Sequence, residues 1–178
     1  MFNFFSSPKP AVNVIDKIWI SKENKYEACM QMVQIQPMYQ LVVWFENTQQ
    51  ELLEYISAHG GDQKVFTTSQ INEITAKNQI PVFIEHYPLE ATEQILFSQN
   101  GLQDVYVFSS MDEPLFMQFG GENIIRLMSH LGIQPHEEIS HPSITRSISN
   151  AQKKIAKKVS LERKAKSQQE WFDLNFKE

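Results

Sequence analysis

The sequence predicts an α/β fold: a small sheet of five mostly parallel strands flanked by helices, followed by a long C-terminal helix. Three observations carry this expectation. Short apolar runs suited to strands alternate with segments whose apolar residues recur every three or four positions, from Asp16 to Ser109. The run at 41–45, Leu-Val-Val-Trp-Phe, is apolar without interruption, as in a strand covered on both faces. Beyond residue 140 the pattern turns helical, with one narrow apolar seam.

Taken in order, residues 1–13 mix aromatics, Ser6-Ser7, Pro8 and Pro10, and are expected to form a loosely held leader. Residues 18–20 make a first strand. Ser21 caps the helix after it, with Tyr26, Met30 and Val33 on one face and Pro37 past its end. The second strand is the run at 41–45. Asn47 or Thr48 then caps a helix with Leu52, Leu53 and Ile56 as a buried stripe, which Gly60-Gly61 stops. Residues 64–67 form a third strand, and Ser69 caps a short helix with Ile71 and Ile74 inward. A fourth strand runs over 81–84, and Pro88 opens a helix reaching about Ser98. The fifth strand is 105–109.

Ile124, Ile125, Met128 and Leu131 then recur at helical spacing until Gly132 closes the segment. Ser140 offers the next cap, with Pro142 in the first turn, where its missing N–H costs nothing. Ile144, Ile148, Ala151, Ile155 and Val159 form the seam, and Trp171, Phe172, Leu174 and Phe176 follow near the C-terminus. A helix of about 30 residues spans about 45 Å, more than the width of the body, so part of it is expected to project. The expected organisation is a leader at 1–13, an α/β domain at 14–140 and a long basic amphipathic helix at 141–178. The seam residues Ile144, Ile148, Ile155 and Val159, with Trp171 and Phe172, are the expected contact for another protein or a second copy of the chain.

The net charge of −5 hides a division. Residues 1–140 hold seven Lys/Arg against seventeen Asp/Glu, whereas 141–178 hold nine against four, so an acidic body carries a basic arm. Lys153, Lys154, Lys157, Lys158, Arg163 and Lys164 form a basic stripe. It reads either as a solvated face that docks on its own acidic body, or as a binder of nucleic acid or an anionic surface. Nucleic acid is disfavoured, because aromatics do not interleave with the lysines until Trp171. A single cysteine excludes an internal disulfide framework. No apolar run approaches the roughly 20 residues of a membrane span, and the start lacks the pattern of a signal peptide, so a cytoplasmic location is expected.

Candidate chemistry is sparse. None of His59, His86, His130, His136 and His141 forms a helical pair with another ligand at metal-binding spacing. Glu85-His86 follows a strand end, a favoured place for sites in open sheets, but the pair reads as loop polarity. Asp112-Glu113 reads as a helix-terminus feature, and Cys29 as a small buried hydrophobe. No catalytic, cofactor-binding or metal-ligating residue is expected, and the chain is not expected to be an enzyme.

One stretch carries a resemblance. Ser109, Asp112, Leu115, Phe119 and Gly120, then Leu131-Gly132, lead into Pro142-x-x-Thr145-x-x-Ile148-x-x-Ala151-Gln152-Lys153-Lys154. This resembles the end of the second motor domain of the bacterial preprotein translocase ATPase family (SecA) and the start of its helical scaffold. With falling specificity the likeness extends upstream, through Lys25-Tyr26 in a first helical turn, the strand–helix unit at 40–53 and the short strand at Val65. It implies a RecA-like, helicase C-terminal-like domain, degenerate in its catalytic motifs. No Gly-x-x-x-x-Gly-Lys-Ser/Thr occurs. Nothing between Lys64 and Ile84 matches the family's Gly-Arg-Gly-Thr-Asp loop, and Phe97-Ser98 stand where its Gly-Arg is expected after Gln94. The loss of such an arginine costs about 10³–10⁵ in rate. The resemblance therefore implies a non-catalytic interaction module. The alternative is the trans-acting half of an ATPase that pairs with a separate phosphate-loop protein; it needs an arginine at the nucleotide, and Arg126, Arg146 and Arg163 all lie in the C-terminal third.

Overall fold

The computed structural model describes residues 12–176. Five strands form one sheet: β1 (Asn13–Trp19), β2 (Tyr39–Val43), β3 (Val65–Thr67), β4 (Ile80–Phe83) and β5 (Asp104–Ser110). Their order is β1-β5-β4-β2-β3 and every pairing is parallel, so the expected α/β class stands and the sheet is parallel throughout.

Parallel neighbours need crossovers, and four helices supply them: α1 (Lys22–Ile35), α2 (Glu46–Ala58), α3 (Ile71–Thr75) and α4 (Glu90–Gln99). The period-two alternation of the strands divides the core into two layers. Leu41, Val43, Val82, Ile84 and Phe108 pack with Tyr26, Cys29, Met30 and Val33 of α1 and with Leu52 and Ile56 of α2. Val42, Phe83, Val105 and Val107 meet Ile71 and Ile74 of α3 and Phe97 of α4 on the other side. The uninterrupted apolar run of β2 is thus explained by burial on both faces.

Local signals set the ends. Ser21 caps α1 by accepting from the Asn24 N–H. Two caps differ from expectation. Thr67 and Gln70 form a reciprocal capping box before α3, in place of Ser69, and the His141 ring, in place of Ser140, accepts from the Ser143 N–H at the start of the seventh helix. Of the expected stripe on α2, Leu52 and Ile56 are buried and Leu53 is exposed.

Past the sheet come α5 (Pro114–Met117), α6 (Gly121–His130), α7 (Pro142–Ala156) and α8 (Gln168–Asn175). The expected long C-terminal helix is therefore two helices. α7 ends at Ala156, residues 157–167 are non-helical, and Ser167 caps α8 by accepting from the Glu170 N–H. Trp171 and Phe172 join Ile18, Phe45, Leu115, Ile148 and Ile155 in a third apolar cluster. The energetics explain the break. Burying Phe172 contributes about 1.5–3 kcal/mol, with a comparable gain from Trp171, while continuing a helix gains at most about 0.3 kcal/mol per residue. Of the expected leader, residues 1–11 lie outside the described residues, and Asn13 already opens β1.

Candidate functional site

The strand order marks one crevice. The chain leaves β2 toward β3 and leaves β4 toward β5, so these neighbours send their helices to opposite faces of the sheet. Ligands of open parallel sheets bind outside the carboxyl ends of such a pair. Here those ends carry Trp44 and Phe45 after β2, and Ile84, Glu85 and His86 after β4.

Glu85 fills the crevice from within. One carboxylate oxygen, Oε1, accepts from the Trp44 N–H at 3.1 Å and the Phe45 N–H at 3.2 Å, and Oε2 accepts from the Thr48 hydroxyl at 2.7 Å. Phe45 is the N-cap of α2, whose free N–H groups and dipole favour an anion. In the first turn of that helix the Asn47 N–H is taken by the Lys166 carbonyl at 2.9 Å. The side-chain cap expected from Asn47 or Thr48 is absent from α2, because a carboxylate from the neighbouring strand and a carbonyl from the C-terminal segment do its work.

Lys25 reaches the same edge from α1 and is almost wholly buried. Its ammonium donates to the Ile84 carbonyl at 2.7 Å and to Glu113 Oε1 at 2.5 Å, and that oxygen also accepts from the Ser110 N–H. Burial alone would lower the Lys25 pKa; Glu113 outweighs it and holds the ammonium charged above its usual range. Asp112 accepts from the Lys22 N–H at the start of α1, whereas the Glu113 carboxylate is taken by Lys25 and Ser110, so only the first of the two acids serves a helix terminus.

His86 is buried between two carboxylates. Its Nδ1 lies 2.9 Å from Glu93 Oε1 and its Nε2 lies 2.7 Å from Asp16 Oδ1. With a carboxylate at each nitrogen, both must donate, so the ring is an imidazolium. Burial would lower its pKa, but Glu93 and Asp16 hold it well above the ordinary value. Burial likewise raises Asp16, and His86 outweighs that to leave it lowered. The reading of Glu85-His86 as loop polarity is thus corrected: both are almost fully buried and fully engaged.

The C-terminal segment closes over these groups. Gln152 of α7 donates to Glu93 Oε2 and to the Tyr87 carbonyl. Gln168 of α8 donates to the His86 carbonyl and accepts from the Leu115 N–H. Tyr87 stacks on Phe45 and meets Trp171 edge-on, and both Tyr87 Oη and Trp171 Nε1 donate to Glu162. The arrangement binds the chain's own helix starts and carbonyls. Cys29 is on the buried face of α1, its thiol pushed up to about 12 by burial. Among the described residues, no group of three His, Cys, Asp or Glu side chains is placed to hold a metal ion.

The six expected contact residues do come together, facing inward. Ile148, Ile155, Trp171 and Phe172 are buried, and Ile144 and Val159 are half-buried, all in the third cluster. The projecting, exposed seam is therefore corrected: it packs on the chain's own strand ends. Lys153, Lys154, Lys157, Lys158, Arg163 and Lys164 stay exposed, but the break after Ala156 splits them, so they share no single helix face. Lys153 pairs with Glu90 at 3.5 Å, and Lys158 lies over the Phe176 ring.

A pH dependence follows from Glu85. Burial, the largest influence, pushes its carboxyl up to about 7 from 4.5, against the opposing effects of Lys25 and the Thr48 hydroxyl. Its raised folded-state pKa gives a contribution that is full below about 4.5 and lost as pH rises through about 7. The neutral Glu85→Gln variant lacks this loss. Relative to it, the parent chain is expected to be more stable at pH 4.5 than at pH 8, measured by urea unfolding at both.

No family model matches the chain. Stretches of it are similar to the protein translocase subunit SecA of several bacteria. The match to the protein of Acidithiobacillus ferrooxidans is 44% identical over 48 residues, covering 27% of this chain and 5% of that protein. The protein of Treponema denticola is 46% identical over 48 residues, with the same coverage. That of a Sulfurovum species is 40% identical over 57 residues, 32% of this chain and 6% of that protein. The chain thus spans about a twentieth of the length of these curated relatives, and the similarity is that of a SecA-related region. No helix among the described residues is long and apolar enough to cross a membrane.

Proposed function

We propose that this chain is a nucleotide-silent, protein-binding module, degenerate in the catalytic motifs of SecA, to which part of it is similar. The observation that carries this is Glu85. The backbone N–H groups of Trp44 and Phe45, immediately before α2 and at the crevice where an open sheet would receive a ligand's anionic group, are held by a carboxylate of the same chain. A phosphate placed there would meet a second buried acid group and would have to displace Gln168 and Lys166 from their partners. The sequence adds no phosphate loop and no arginine before Arg126.

Protein binding is supported by the surface of α6. Ile124, Leu127 and Leu131 are exposed at a three- and four-residue spacing, and beside them a cavity of about 230 Å³ is lined by Leu115, Phe119, Met128 and Ile144. Surfaces of this kind mark contact sites more often than catalytic ones. Calorimetric titration with Mg-ATP tests the silent half of the reading. No saturable heat is expected, and binding tighter than about 100 μM overturns it.

A further inference from the structure

The C-terminal segment has the construction of an exchangeable arm. Residues 162–175 hold together as a unit: Glu162 accepts from Trp171 Nε1, and Arg163 and Asn175 are joined by two hydrogen bonds. This unit is docked on the body through Asn47, Tyr87, His86 and Leu115. Between it and α7 lies a hinge at 157–161. Ser160 and Leu161 are exposed, and among the described residues no hydrogen bond ties either of them to the body.

The hinge sequence is Lys-Lys-Val-Ser-Leu, without Gly or Pro, and it prolongs the helical pattern of α7. In the closed chain that pattern is interrupted only so that Trp171 and Phe172 can reach their own crevice. If the hinge is helical, α7 grows by about 7.5 Å and the unit is carried away from its own body. The crevice of a second copy then offers it every contact it has lost. Leu161 adds a separate observation. It is the most exposed of the large hydrophobic residues described, at 78%, and it stands in the hinge, where two crossing chains would give it an apolar neighbour.

We infer that the unit 162–176 is exchanged between two copies of this chain, each α8 seating on the strand ends of the other. Exchange conserves the docked contacts and changes only the hinge and the association entropy, which is why it is a low-cost route to a dimer. A hinge of only five residues gives its own arm an effective concentration of at least the millimolar range, so the exchanged form gains ground as protein concentration approaches that. The inference goes beyond the proposed function: it uses the C-terminal segment and the strand ends rather than the α6 surface, and it is independent of whether nucleotide binds.

Two experiments test it, and either one alone decides. The Asn47 N–H and the Lys166 carbonyl meet at 2.9 Å and both residues are exposed, so cysteines are placed at these positions, and a single chain carrying both that closes its own disulfide establishes their reach. Chains carrying only Asn47→Cys are mixed with chains carrying only Lys166→Cys at about 1 mM, incubated and oxidised; buried Cys29 can remain. The expected product is a disulfide-linked heterodimer several-fold more abundant than either homodimer, rising with concentration. A heterodimer that never exceeds its statistical share overturns the inference. In the second experiment, deleting residues 158–160 makes the hinge too short for the arm to return. A dimer with Trp171 still buried is expected by light scattering and tryptophan fluorescence, and a folded monomer overturns the inference. Mg-ATP calorimetry is unaffected by either outcome, so failure here is distinguishable from failure of the silent reading.

Discussion

Replacing Trp171 by alanine is expected to lower the thermal midpoint by roughly 6–20 °C, the consequence of losing about 3–5 kcal/mol. The indole is fully buried, lies edge-on to Tyr87 and Phe172, and donates to Glu162. Truncation leaves a cavity at the strand ends and removes one of the two hydrogen bonds to Glu162 Oε1, the other being kept by the Tyr87 hydroxyl. A partner-facing residue on a projecting helix behaves differently, because surface substitutions change stability by about 0.5 kcal/mol or less. Thermal unfolding followed by circular dichroism separates the two, and a midpoint unchanged from the parent would mean that α8 does not pack on the body. Loss of α8 alone, with the sheet intact, would appear as a first transition in tryptophan fluorescence that precedes the loss of secondary structure.

The second large effect is expected at Lys25. Its ammonium is the buried cation beside Glu113 and Glu85, so Lys25→Met leaves Glu113 buried without its counter-charge and is expected to cost about 3–5 kcal/mol. Glu113→Gln made alone keeps an acceptor for the Ser110 N–H, while the cation loses its charged partner. The double variant Lys25→Met, Glu113→Gln removes both charges and is expected to recover much of the loss, because replacing a buried pair by neutral groups is often close to neutral. A double-mutant cycle by urea unfolding measures the coupling. Additive single effects would contradict the pair's role as one unit.

Much of the sheet was legible because its signals are local. Four strands overlap the short apolar runs expected to form them, whereas β1 begins at Asn13, five residues before the strand expected at 18–20; of the run at 41–45, Leu41, Val42 and Val43 lie in β2, between the two core layers. The caps at Ser21 and the proline at the start of α7 were likewise readable from neighbouring residues. What the sequence hid is whatever joins distant positions. Glu85 serves residues 40 positions away, His86 joins Asp16 from 70 positions away, and Gln168 meets His86 across 82 positions. No spacing rule relates such residues, so Glu85-His86 read as loop polarity although its place after a strand was a usable sign. The broken C-terminal helix has the same origin. Helical periodicity does continue past Ala156, and only the crevice at the strand ends makes it more favourable for Trp171 and Phe172 to turn back.

The most direct measurement is a Mg-ATP titration followed at the backbone amides of Trp44, Phe45 and Asn47 by heteronuclear NMR. Their N–H groups are held by Glu85 and by the Lys166 carbonyl. With the crevice so filled, these amides are expected to keep their positions up to about 5 mM nucleotide, far above a useful dissociation constant. Saturable movement of the Trp44 and Phe45 signals, centred on those residues and half-complete below about 100 μM, would show that a ligand displaces the carboxylate and would contradict the account.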